Sequence, residues 1–154
     1  MRPPTRWPLA WTLPLFLLAC GDSTGPEAED EIAPCTEQTG SVAVDVGDGL
    51  TPTFGWTPAC AVAMVLVEEG ASDMWGVSTD EDTWANPAAA NLIAPPVTYG
   101  VTPSGATPLD DDLPLEAGHT YELVLWRIIP ASSTANCQQR FDNACLLAVH
   151  QFTR

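Results

Sequence analysis

Apolar and polar positions along this chain change period several times, and the changes divide it into three parts. Leu9 to Ala19 is a largely apolar run of eleven residues, and Gly21 to Pro34 holds one aliphatic residue larger than alanine. Past Cys35, short apolar runs alternate with clusters of Gly, Pro, Asp and Thr, and no long segment of period 3.6 lies between them. Ser41 to Val46 places Val42, Val44 and Val46 against small or polar neighbours. A Gly47-Asp48-Gly49 turn and Thr51 to Thr57, with Phe54 and Trp56, follow, so this pair predicts a hairpin. Val62 to Val67 is aliphatic without alternation, the pattern of a central strand covered on both faces. Met74 to Ser78 is a further short strand, and Pro96–Val101 and Ala106–Leu109 are weaker ones. Thr83 to Ala94 is the one helical candidate, with Pro87 in its first turn. Thr120 to Ile128 and Leu146 to Phe152 complete the set. About seven short strands predict an all-β antiparallel sandwich over residues 35–154.

Two stretches sharpen that prediction. Leu115-Glu116-Ala117-Gly118-His119-Thr120-Tyr121-Glu122-Leu123-Val124-Leu125 resembles the fibronectin type III signature around the sixth strand of that immunoglobulin-like sandwich. Phe54-Gly55-Trp56-Thr57-Pro58 resembles its second strand. The resemblance implies that Tyr121 buries its ring while its hydroxyl bonds the preceding corner. It also implies that Tyr121, Leu123 and Leu125 face the core. Period two then turns Glu122, Val124 and Trp126 outward. An outward Trp126 beside Val124 would form an exposed apolar patch, with Trp75 and Trp84 as further candidates for a binding surface. The competing expectation is that the Ala- and Pro-rich stretch between Gly70 and Leu113, with Trp75 and Trp84, folds over that patch and buries it.

The first part of the chain concerns location. Arg2 and Arg6 precede the apolar run, which is too short to span a bilayer and is interrupted by Pro14, as in a secretory signal peptide over residues 1–19. The run ends Leu17-Leu18-Ala19-Cys20, which resembles the bacterial lipobox. That resemblance implies cleavage before Cys20 and diacylation of its sulfur, an anchor in the lipid bilayer stable because it has at least two chains. In an envelope with an outer membrane, Gly21 after the cysteine favours the outer membrane, because the sorting rule retains Asp at that position inside. Residues 20–34 hold an acidic cluster and two prolines, and predict a disordered spacer.

Charge and cysteines add exclusions and a pairing. The chain has no lysine, five arginines and twenty acidic residues. Without Arg2 and Arg6 the net charge falls from −15 to −17. Such a surface repels nucleic acid and anionic lipid. With Cys20 acylated, Cys35, Cys60, Cys137 and Cys145 allow three pairings. The hairpin places Cys35 and Cys60 opposite each other beyond its open end, which favours Cys35–Cys60 and Cys137–Cys145. Their spacings do not suit zinc, and the two histidines, His119 and His150, stand near neither pair.

Catalytic patterns are scarce: no serine stands in a G-x-S-x-G context, and no Gly-rich phosphate loop occurs. Asp110-Asp111-Asp112 and Asp80-Glu81-Asp82 are the densest oxygen clusters. Neither has the spacing of a calcium loop, so Asp110, Asp111 and Asp112 are weak calcium candidates and solvated loops are the expectation. The sequence therefore predicts a lipid-anchored, extracytoplasmic, non-catalytic domain without a cofactor. Its role would be recognition or support, with an envelope protein or a glycan as partner. The alternative is a carbohydrate- or small-ligand-binding module using exposed tryptophans.

Overall fold

A computed structural model describes residues 32–109, 112–141 and 143–154. The signal peptide, Cys20 and most of the spacer lie outside the described residues, as do Asp110 and Asp111.

Two antiparallel sheets form the domain. The smaller has the order β1-β2-β5, with β1 Ala43–Val46, β2 Thr53–Thr57 and β5 Val97–Thr98. The larger has the order β6-β4-β3-β7-β9-β8. Its strands are β3 Met64–Glu69, β4 Ser72–Ser78, β6 Thr107–Pro108, β7 Thr120–Ile128, β8 Gln139–Phe141 and β9 Ala144–Thr153. The expected first hairpin is present with Val46 opposite Phe54, and each of its strands starts two residues later than the sequence suggests. β3 lies between β4 and β7, and Met64 to Val67 are all buried, as its continuous apolar run requires.

Strand registers define two ends. At one end stand the β1–β2 turn, the β3–β4 turn around Gly70, Thr120 and the C-terminal residues of β9. At the other stand Cys35, Cys60, the segment between Thr79 and Ile93, and the connection from Ile129 to Asn143.

The core between the sheets contains Phe54, Trp56, Val65, Val67, Trp75, Val77, Tyr121, Leu123, Leu125 and Phe152. Tyr121, Leu123 and Leu125 are fully buried there, in the phase expected for β7. Trp56 donates its indole N–H to the Cys60 carbonyl at 2.8 Å, which satisfies the ring's polar edge inside the core. Trp75, expected on a binding surface, instead packs between Phe54 and Tyr99, with ring centroids at 6.4 and 5.4 Å.

The outer face of the larger sheet carries a second cluster of Met64, Leu66, Val124, Trp126, Ile128 and Ala144. It is covered by the chain between β4 and β5. A 3₁₀ turn at Glu81–Thr83 and a one-turn helix α1, Pro87–Ala90, bring Trp84 and Ala90 onto it. Pro87 stands in the first turn of α1, and Asn86 caps it by accepting from the Ala88 N–H at 3.2 Å. Asn91 fixes this cover to β7. Its amide donates to the Ile128 carbonyl at 2.8 Å and its Oδ1 accepts from the Ile128 N–H at 2.9 Å, so one side chain replaces a neighbouring strand at that residue. Trp126, Val124 and Trp84 therefore form no exposed patch, being 5%, 4% and 8% exposed. Period two fixed the face of the sheet on which Trp126 and Val124 lie, and the segment folding back over that face removed them from water.

Candidate interaction surfaces

Cys35 bonds Cys60 and Cys137 bonds Cys145, the pairing favoured by the hairpin geometry. Disulfides belong to oxidising, extracytoplasmic compartments. Among the described residues no helix is long and apolar enough to cross a membrane. The first bond anchors the incoming chain, where Pro34 and Ala61 form a parallel bridge and the Cys35 N–H donates to the Ala61 carbonyl at 2.7 Å. Arg127 on β7 adds to this anchor by donating to the Thr36 carbonyl, and to the Thr39 carbonyl at 2.6 Å. Burial lowers its pKa, against a smaller opposing pull from Glu37.

The corner before β7 has the geometry the sequence implies. Gly118 takes a left-handed φ of 86°, which reverses the chain without a Cβ penalty. The Tyr121 hydroxyl accepts from the Glu116 N–H at 2.8 Å while its ring is fully buried. His119 lies in the same corner, with Nδ1 at 2.7 Å from Glu69 and Nε2 at 3.4 Å from Glu116. The hydrogen bond to Glu69, and then that carboxylate's charge, raise the His119 pKa. This arrangement ties the β3–β4 turn to the corner. His150 lies on β9, opposite Leu123 in the strand register.

No group of three or more His, Cys, Asp or Glu side chains is placed to hold a metal ion among the described residues. In the Asp80-Glu81-Asp82 cluster, Asp80 accepts from the Asp82 N–H at 3.0 Å and thereby starts the 3₁₀ turn. Of the three consecutive aspartates only Asp112 is described, and it lines a cleft at the end of the sandwich that carries the β1–β2 turn.

Two concave surfaces stand out. The first, about 930 Å³, lies at the end with the disulfides and is lined by Glu81, Asp82, Trp84, Ala85, Ala131, Phe141 and Asn143. Phe141 is 47% exposed, with its ring 6.3 Å from that of Trp84. The Arg140 guanidinium lies 5.9 Å from the Trp126 ring and 5.5 Å from that of Phe141, and pairs with Glu68 at 3.0 Å. Asn143 spends its amide on the Trp84 and Ile129 carbonyls, at 2.7 and 3.0 Å. The Glu81 and Asp82 carboxylates bring negative charge to the same lining.

The second is a cleft of about 280 Å³ at the opposite end, lined by Leu50, Thr51, Tyr99, Gly100 and the chain from Asp112 to Leu115. Its Tyr99 hydroxyl reaches the Leu113 carbonyl at 2.6 Å and the Met74 carbonyl at 3.1 Å. Burial first, then the Asp112 charge, push the Tyr99 pKa up to about 12, so this phenol stays protonated and holds its bonds. Neither surface was foreseen from the sequence. An aromatic inside an eight-residue disulfide loop, as Phe141 is, has no room to reach a core, and that was the available signal for the first.

No protein-family model matches this chain, and neither curated proteins nor solved structures give a match.

Proposed function

We propose that this protein is a lipid-anchored, extracytoplasmic lipoprotein, held at the outer membrane where the envelope has one, whose fibronectin type III-like sandwich serves recognition or structural support rather than catalysis. One observation carries the anchoring. Of the five cysteines, the four in the domain bond among themselves, and the fifth, Cys20, stands at the end of the signal's apolar run. The sheet orders β1-β2-β5 and β4-β3-β7-β9, together with the Tyr121 corner and the buried Trp56, support the assignment of the sandwich.

Fatty-acid labelling and membrane fractionation of the full chain test this reading. The wild type takes up label and sediments with membranes, and Cys20→Ser abolishes both. Label that persists in Cys20→Ser, or that never enters the wild type, refutes it.

The glycan- or small-ligand-binding alternative loses Trp75, Trp84 and Trp126, each at most 8% exposed. The groove beside half-exposed Phe141 is the feature that now favours it.

A further inference from the structure

We propose that the cleft between Leu50 and Leu113 is a docking site for a cationic polypeptide segment that inserts one aliphatic side chain. Leu50 and Leu113 are 49% and 46% exposed and face one apolar cleft, while Leu115 behind them is buried. Two large aliphatic side chains at the rim of one concavity keep apolar surface in water that a partner would cover. The cleft is also stiff. The Leu113 N–H donates to the Met74 carbonyl at 2.9 Å, and the Leu113 carbonyl is held by Tyr99 at 2.6 Å. A preformed wall of this kind loses little freedom on binding.

Size and charge choose the occupant. About 280 Å³ lies just below the range of pockets that enclose small organic ligands, and suits an anchoring side chain of a larger partner. Asp112 lines the cleft, and exposed Asp48 and Glu116 lie two and one residues along the chain from the lining residues Leu50 and Leu115. The basic groups at this end are committed elsewhere. The Arg154 guanidinium lies over the Phe152 ring at 4.8 Å, and His119 is engaged by Glu69 and Glu116. A second copy of the chain would bring the same carboxylates face to face, and anionic lipid or nucleic acid would be repelled. A segment with lysine or arginine around one leucine matches both the apolar floor and the acidic rim.

The placement of the cleft fits an encounter with such a partner. The described chain enters at the Cys35–Cys60 end and the cleft lies at the opposite one, so on the anchored reading the spacer joins the domain away from the cleft.

The test uses the full chain in detergent and a fluorescent nine-residue peptide with one central leucine flanked by lysines. Two companion peptides replace that leucine with serine or the lysines with glutamates. The expectation is saturable binding of the first peptide that weakens about tenfold, or about 1.4 kcal/mol, on Leu113→Ser and again on Asp112→Asn. Both side chains are exposed, so neither change threatens the fold. Phe141→Ala, at the other end, leaves binding unchanged. Equal binding of the serine peptide, insensitivity to Leu113→Ser, or no binding of the first peptide overturns the proposal. Cys20→Ser leaves peptide binding intact while releasing the protein from membranes, so failure of the anchor and failure of the cleft are read separately.

Discussion

Trp126 separates a surface reading of β7 from a buried one, and two substitutions there give opposite results. Trp126→Ala empties a site that is 5% exposed, where removal of a large aromatic costs about 3–5 kcal/mol. Two adjustments follow from its neighbours. The Trp126 Nε1 is buried without a hydrogen-bond partner among the described residues, so the wild type already carries a desolvation cost on the order of 1–3 kcal/mol that the variant no longer has. Against that, the Arg140 stack at 5.9 Å is lost, about 0.5–1 kcal/mol at a partly exposed site. The net expectation for Trp126→Ala is a loss of about 3 kcal/mol. Trp126→Phe keeps most of the ring and leaves a void costing on the order of 1 kcal/mol, while removing the same orphaned N–H. It should be neutral or slightly stabilising. Urea unfolding followed by far-UV circular dichroism, with the disulfides intact, measures both. A loss below about 1 kcal/mol for the alanine variant would mean that the face is open to water. A loss above about 2 kcal/mol for the phenylalanine variant would mean that the indole N–H is bonded.

Asn91→Ala strips the Ile128 N–H and carbonyl of partners at 2.9 and 2.8 Å in a buried site, and should cost about 3 kcal/mol by the same assay. Hydrogen exchange should then speed up in α1 and at Ile128 before it does in β3, and uniform acceleration would contradict the stapling role. Converting both Cys35 and Cys60 to serine should destabilise more than converting both Cys137 and Cys145. Chain entropy gives about 3.5 against about 2.5 kcal/mol for separations of 25 and 8 residues, and an inverted order would refute it. His119 has a raised pKa in the folded state, so its contribution is fully present below its ordinary value of 6.5 and is lost as pH rises through the raised one. The stability difference between wild type and His119→Ala should therefore shrink with increasing pH over that window, and a gap that widens would reverse the argument.

What the sequence made legible was local or directly periodic. β7 occupies Thr120–Ile128 as expected, because a Gly-containing corner leads into a strongly apolar run whose phase Tyr121 sets. β3 was readable because an unbroken aliphatic run needs cover on both faces. Readings stayed open, as between an exposed and a covered Trp126, or were missed where one segment's state depends on a distant one. The burial of Trp126 is decided by Trp84, Ala90 and Asn91, which carry no periodic signal of their own and gain their role only by lying on β7. β8, Gln139–Phe141, has one apolar residue and pairs with β9 across a loop closed by a disulfide, so propensity could not announce it. The Leu50–Leu113 cleft joins two loop segments far apart in the chain, and loop leucines read as isolated exceptions until the fold brings them to one cleft.

The Cys35–Cys60 bond has a mechanical consequence. Tension applied to the chain ahead of Cys35 passes through the sulfur bridge directly to Cys60 and on into β3, at the centre of the larger sheet. The stretch from 40 to 59, including β1 and β2, is bypassed by that covalent path. The edge strand β1, which a pull from the N-terminus would otherwise unzip first, is thereby insulated, and stretching force is resisted by the β3–β4 and β3–β7 ladders.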